Sequence, residues 1–179
     1  MNAPRTRYAM TVDTRLCVGC KACVLSCKAE NAVPDGFCRD WIVEEVRGEF
    51  PVLSAEIRSE RCNHCSDAPC VKACPTGASH VNEGGVVLVT HGKCSGCKAC
   101  IAACPYDARF VHPKGYVDKC TFCLHRVRKG LQPGCLRVLD SILGVRGRGN
   151  HHAGDCQVTG DGVFHYVSDI WSFHSGVLC

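Results

Sequence analysis

Long apolar runs are missing from this sequence. Nowhere do about 18 apolar residues follow one another, so no segment reads as a membrane-spanning helix. The opening MNAPRTRYAM carries two arginines. It lacks a twin arginine and the apolar stretch of roughly 7–15 residues found in a secretory leader. Large rings are scarce, with aromatics at 7%. A conventional core is then expected to be poor in large rings, which leaves room for something else to organise the interior. Signatures of a substrate-converting site are also absent. No dinucleotide glycine fingerprint follows a strand pattern, no phosphate-binding loop occurs, and no recognisable motif pairs a nucleophile with a base. At 179 residues the chain has room for one domain or two small ones.

Cysteine is present in excess. There are 18, a density associated with disulfide scaffolds or metal sites. Disulfides are rare in the cytosol where a chain without a leader begins, which shifts the weight to metal. The cysteines fall into a register. Cys17, Cys20, Cys23 and Cys27 lie in CVGCKACVLSC, and Cys62, Cys65, Cys70 and Cys74 in CNHCSDAPCVKACP. Cys94, Cys97, Cys100 and Cys104 lie in CSGCKACIAACP, which repeats the first spacing. The fourth group, CTFCLHRVRKGLQPGC, supplies Cys120, Cys123 and Cys135. The first three groups close with C-x3-C, but Leu139 stands where the fourth requires a cysteine.

This is an internal repeat of ferredoxin type. In C-x2-C-x2-C a short loop wraps one corner of an iron–sulfur cubane, and the fourth cysteine, one helical turn on, ligates the other cluster of the pair. Pro75 and Pro105 turn the chain out of that helix. Thiolates in fours suit iron–sulfur clusters or zinc. Zinc sites usually use two separated C-x2-C pairs, so clusters are the expectation. The formal charge of +4 then does not point to nucleic acid, because it counts every cysteine as neutral and bound cysteine is thiolate. Four [4Fe–4S] clusters, each about −2 with its thiolates, bring +4 to roughly −4.

On these four motifs the sequence resembles the four-cluster iron–sulfur subunit of the molybdopterin oxidoreductases, of the polysulfide, thiosulfate and dimethyl sulfoxide reductase type. The linking stretches RDWIVE, EIRSERCNHC, ACPTGAS, CIAACPYDARFVHP and GYVDKCTFCLHRV carry the likeness further, and they are most similar to the polysulfide/thiosulfate branch. The resemblance runs from Tyr8 to Val138 and implies crossed ligand sets. Cys27 joins Cys120, Cys123 and Cys135. Cys62, Cys65 and Cys70 join Cys104, and Cys94, Cys97 and Cys100 join Cys74. Cys17, Cys20 and Cys23 require residue 139. The resemblance also implies a wire, with the first motif's cluster nearest the catalytic subunit and the third motif's nearest the membrane anchor.

The missing ligand leaves four outcomes open. Asp140 supplies an oxygen, Cys156 or Cys179 folds back, the site holds [3Fe–4S], or it stays empty. Beyond Val138 the likeness stops, and LDSILGVRGRGNHHAGDCQVTGDG is rich in glycine and histidine without clear periodicity. Residues 139–179 therefore read as a replaced or frame-shifted tail, disordered by default. The coding DNA in its other two frames tests this, and absence there of a Cys-Pro-Thr continuation would sink it.

Elsewhere the pattern predicts a hairpin with strands near 40–47 and 52–58, short strands at 8–12 and 85–89, and helices over 21–30 and 98–104. His64 reads as a loop residue, packed or facing solvent, rather than a tuner of a cluster. Lys21 and Lys98 have two readings, charges beside a cluster or a solvated face. The run from His125 to Lys129 reads as solvated surface before docking patch. Cys38 reads as a free thiol.

The expectation is an α+β protein of two nested ferredoxin-like units of two [4Fe–4S] clusters each, with an inserted β-hairpin and an irregular tail. Residues 1–58 plus 106–138 form the outer unit, 59–105 the inner, and 139–179 the tail. It binds three complete [4Fe–4S] clusters and a fourth that is substituted, [3Fe–4S] or absent. Being no enzyme itself, it moves electrons between a molybdopterin catalytic subunit and a quinone-reactive membrane anchor. It sits at the membrane through those partners. The periplasmic side is favoured, by export with a signal-bearing partner, over the cytoplasmic. Two alternatives remain: a soluble carrier for a hydrogenase or formate dehydrogenase, and a zinc-organised binding module.

Overall fold

The structure, a computed structural model, describes residues 8, 10, 12 and 17–143. Cys156, Cys179 and the rest of 144–179 lie outside the described residues, as does part of the strand expected at 8–12.

The first helix, α1 (Ala22–Asn31), starts after Lys21 and ends at Ala32, both left-handed. Its two buried residues are Cys23 and Cys27, four apart and so on one face. Strands β1 (Asp40–Glu49) and β2 (Val52–Arg61) form an antiparallel hairpin from Asp40↔Arg61 to Glu49↔Val52. It is longer than the alternation in sequence suggests. The cross-strand partners continue past residue 58 because Ser59 and Arg61 turn inward onto Asp40. The far end projects into solvent, with Phe50 exposed.

Short helices and two more strand pairs follow. Helix α2 (Pro69–Lys72) has proline in its first turn, where the missing N–H costs nothing. Strands β3 (Ser79–Val81) and β4 (Val87–Val89) pair antiparallel, Ser79↔Val89. Helix α3 (Ala99–Ala102) has the length of α2 and, like it, leads into a Cys-Pro step. Strands β5 (Phe110–Val111) and β6 (Val117–Asp118) make a third two-stranded sheet. Helix α4 (Leu124–Val127) precedes α5 (Gly134–Leu143). The expected strand at 85–89 shortens to β4, since residues 83–85 form a 3-10 turn. Helix α5 runs through position 139, so the tail begins inside regular structure; side chains from 139 onward are not described.

The fold is therefore α+β with small antiparallel sheets. Its central apolar cluster is thin: Ala68, Cys70, Val87, Cys100 and Val117, with Cys65 and Cys94 packed against it. No aromatic is among these five buried residues, in line with a core poor in large rings, and valine is the largest of them, with Val71 and Ile101 also packed against the cluster.

Candidate metal centres

The first C-x2-C loop of each of the four motifs has the same turn. The residue before the second cysteine has positive φ in all four: Gly19 at 68°, His64 at 47°, Gly96 at 69° and Phe122 at 56°. Left-handed residues in a tight loop turn successive N–H groups toward one side, a concavity that suits anionic sulfur. Amides do reach the sulfurs. Phe122 N–H donates to Cys120 Sγ at 3.4 Å, Val117 N–H to Cys94 Sγ at 3.4 Å, and Ser79 N–H to Cys74 Sγ at 3.3 Å. The sequence hints at this fourfold position only where glycine occupies it.

Cys27 on α1, Cys120 and Cys123 ahead of α4, and Cys135 on α5 line one cavity, together with Asn31 and Arg61. Asn31 Nδ2 bridges two of them, 3.7 Å from Cys27 Sγ and 3.6 Å from Cys123 Sγ. Desolvation and then the neighbouring cysteines push the Cys27 thiol well up. The Cys135 thiol is pushed up to about 12 by desolvation, against the opposing pull of Arg61. Cys120 rises to about 11 by desolvation, with Lys119 opposing and Cys62 adding. Crowded and buried, these thiols keep their protons, because each thiolate formed would be poorly solvated and would repel the next; a cationic iron core in their midst would let all four ionise. The donor set thus fits an iron–sulfur cluster.

A second grouping involves Cys100, whose thiol is raised by burial and by Cys74 and Cys94, with Arg109 opposing. At Cys74 burial acts upward, but donors from Ser79, Thr76 and Ala78 outweigh it and hold the thiol below its ordinary value. Cys70 accepts from Arg109 Nη2 at 2.8 Å. Cys104, just beyond α3, is half-buried.

The first motif is less complete. Cys23 is buried 3.6 Å from Ser59 Oγ, Cys17 is half-buried and Cys20 exposed. The candidates for their fourth ligand fall outside what is described: the side chains of Leu139 and Asp140 are not described, and Cys156 and Cys179 lie outside the described residues. No disulfide joins the described cysteines. Among the described residues no three of His, Cys, Asp or Glu converge to hold a single ion. Cubane thiolates each meet a different iron and need not converge in that way.

His64 is packed. Its Nδ1 accepts from Val87 N–H at 3.0 Å and its ring meets Phe122 edge-on at 5.5 Å. Burial, then the charges of Lys119 and Arg109, keep the ring neutral, which leaves the proton on Nε2, an atom with no partner among the described residues. Lys21, Lys98 and Cys38 are exposed. The basic run is partly structural: His125 and Arg126 meet Glu30 at 2.9 and 2.8 Å, and Arg128 meets Glu83 at 2.5 Å. Sequence reasoning missed Arg61, Arg109 and Lys119, which lie among the cysteines.

The 4Fe-4S dicluster domain matches twice, over residues 53–144 and 16–79. This protein belongs to the 4Fe-4S dicluster domain family. The dicluster chain is 44% identical over 137 residues to a tetrathionate reductase subunit of Salmonella typhimurium, covering 75% of the chain and 55% of that protein. It is 40% identical over 144 residues to the thiosulfate reductase electron transfer subunit PhsB of Salmonella typhi, covering 77% and 74%. With a polysulfide reductase chain of Wolinella succinogenes it shares 43% over 136 residues, covering 74% and 71%. The chain spans 55%, 62% and 60% of the length of three of its curated relatives. It is an iron–sulfur chain of ferredoxin-like type with two such domains, and the zinc-organised reading falls with that membership. No helix among the described residues is long and apolar enough to cross a membrane.

Proposed function

We propose that this chain relays single electrons between a molybdopterin catalytic subunit and a quinone-reactive membrane anchor, itself converting no substrate. The observation that carries the reading is the cavity lined jointly by Cys27, Cys120, Cys123 and Cys135. Three of these come from the fourth motif and one from the first, which is the crossed ligand set of a cluster pair. Kinship to a protein named as an electron transfer subunit of thiosulfate reductase, and to one named as a chain of polysulfide reductase, supports the partners.

The proposed ligand sets are four. Set A is Cys17, Cys20 and Cys23 with its fourth ligand open, and set B is Cys27, Cys120, Cys123 and Cys135. Set C is Cys62, Cys65, Cys70 and Cys104, and set D is Cys74, Cys94, Cys97 and Cys100. Sets A and B make the outer unit, residues 1–58 with 106–138, and sets C and D the inner, 59–105. The iron–sulfur clusters supply one-electron chemistry when bound. The chain's residues hold them, donate amides to their sulfurs and set the surrounding charge. The assembly sits at the membrane through its partners, on the periplasmic side.

Iron and acid-labile sulfide per chain on anaerobically purified protein, with an EPR spectrum of the oxidised form, test this. The reading expects about 12 irons from three complete sets, rising to about 15 or 16 where set A holds a three- or four-iron cluster. An oxidised-state signal marks the three-iron form. Protein essentially without iron under those conditions would overturn the reading.

A further inference from the structure

Three cations lie among the cysteines. Arg109 is 4% exposed and Lys119 1%. The side chain of Arg61 is 11% exposed. Burying a charge is costly unless something compensates it. Arg61 has Asp40, at 3.5 Å. Among the described residues neither Arg109 nor Lys119 has a carboxylate on its charged group. Asp118, beside Lys119, is taken by Arg39 at 2.9 Å. The Lys119 ammonium donates instead to Val87 O and to Cys120 O, the latter at 2.6 Å.

Their placement follows the proposed sets. Arg109 Nη2 donates to Cys70 Sγ of set C at 2.8 Å and to Ser79 Oγ at 3.0 Å. Ser79 in turn donates its N–H to Cys74 Sγ of set D at 3.3 Å. The Nη1 atom of Arg109 is buried without a partner among the described residues. Arg61 Nη2 donates to Ser59 Oγ, which lies 3.6 Å from Cys23 Sγ of set A. Arg61 also lines the cavity of set B. A buried arginine paired with a serine thus joins the two ligand sets in each unit. Lys119 sits between the units, bonded to the backbone of Cys120 in set B. Through Val87, whose N–H binds His64 Nδ1 at 3.0 Å, it is tied to the Cys62–Cys65 loop of set C.

We propose that Arg61, Lys119 and Arg109 are junction charges, one between each two successive ligand sets, A–B, B–C and C–D, each raising the reduction potential of both neighbours. This rests on the relay reading above. A positive charge shared by two sites favours the added electron at either and lessens repulsion between the two negative groups. Because Asp40 offsets Arg61, the effect is larger at Lys119 and Arg109.

The test is an EPR-monitored redox titration of the full chain with its partner subunits, comparing wild type with R109Q, R109K, K119Q, K119R and R61Q. R109Q is expected to lower the reduced-to-oxidised ratio at fixed poise at least tenfold for two clusters, about 59 mV for a one-electron couple, leaving the others unmoved. K119Q is expected to move two as well, one of them shared with R109Q and assigned to Cys62, Cys65 and Cys70. R61Q moves its pair less. The charge-keeping R109K and K119R stay near wild type. Loss of iron in R109Q but not in R109K supports the proposal, since the charge is then needed for assembly. A shift confined to one cluster, no shift, or equal damage from R109K and R109Q overturns it in favour of local shape. Wild-type protein without iron would instead defeat the relay reading beneath it.

Discussion

At the scale of single residues, the four left-handed positions show how one geometric demand is met by different side chains. Gly19 and Gly96 adopt it freely; His64 and Phe122 adopt it while packing edge to face against each other. The two glycines differ in what surrounds them. A Cβ on Gly96 would stand 2.5 Å from Gly115 O, a backbone atom of the β5–β6 turn, whereas on Gly19 it would meet the Glu44 side chain at 3.4 Å. A left-handed alanine costs roughly 1–2 kcal/mol, and forcing a backbone apart adds about 1–3 kcal/mol. G19A is thus expected to lower stability by about 1 kcal/mol and G96A by roughly 3 kcal/mol or more. Anaerobic urea unfolding of the two variants decides it. Equal losses would mean that the β5–β6 turn yields, and that the twin loops are alike in energy as well as in φ.

Among the elements, the hairpin is the piece that owes least to the cysteines. Arg58 on β2 reaches across to Glu45 on β1 at 2.7 Å and along its own strand to Glu60 at 2.6 Å, and Arg47 meets Glu45 along β1 at 2.6 Å. Arg58 and then Arg47 hold the Glu45 carboxyl down, from an ordinary 4.5 to about 2. A depressed carboxylate favours the folded form while ionised, so its contribution is fully present above the ordinary value and is lost as pH falls through about 2. Carboxyl NMR is expected to show Glu45 titrating near 2, moving up toward the ordinary value in R58Q; a midpoint unchanged by R58Q would remove Arg58 as the cause. The hairpin is legible in the sequence because β-branched residues alternate on both sides of a glycine–proline break. The cysteine loops are legible because ligand spacing is itself a sequence pattern. Helix α5 is not, since it runs on from Cys135 through Leu139, Asp140 and Ser141, where a Cys-Pro-Thr continuation is expected and a proline would end a helix. The buried cations are not either: Arg61, Arg109 and Lys119 look like any other basic residue until the fold encloses them among thiols.

For the whole molecule, charge is the quantity that ties the cysteines to the cations. Written with neutral thiols the chain is +4 with a pI near 8.3, and Arg109 and Lys119 are buried without a facing carboxylate among the described residues. A protein in that state holds buried positive charge against its desolvation. Three complete clusters add about −6 and a fourth about −2 more, which makes the loaded chain acidic and places negative charge beside those cations. Loading is therefore expected to do two things together. Anaerobic isoelectric focusing should place the brown, iron-loaded protein below neutrality and move it toward 8.3 once a chelator strips the iron. Over the same chelator range, hydrogen exchange at the Val87 and Val117 amides should accelerate, because the strands carrying them pack around Lys119 and the cysteines of the central cluster. A loaded chain that focuses at the basic end would mean that the thiolates do not carry the charge assigned to them. Stripped protein that keeps its protection at Val87 and Val117 would mean that the cations are held by the fold alone, and their place beside the cysteines would then need another cause.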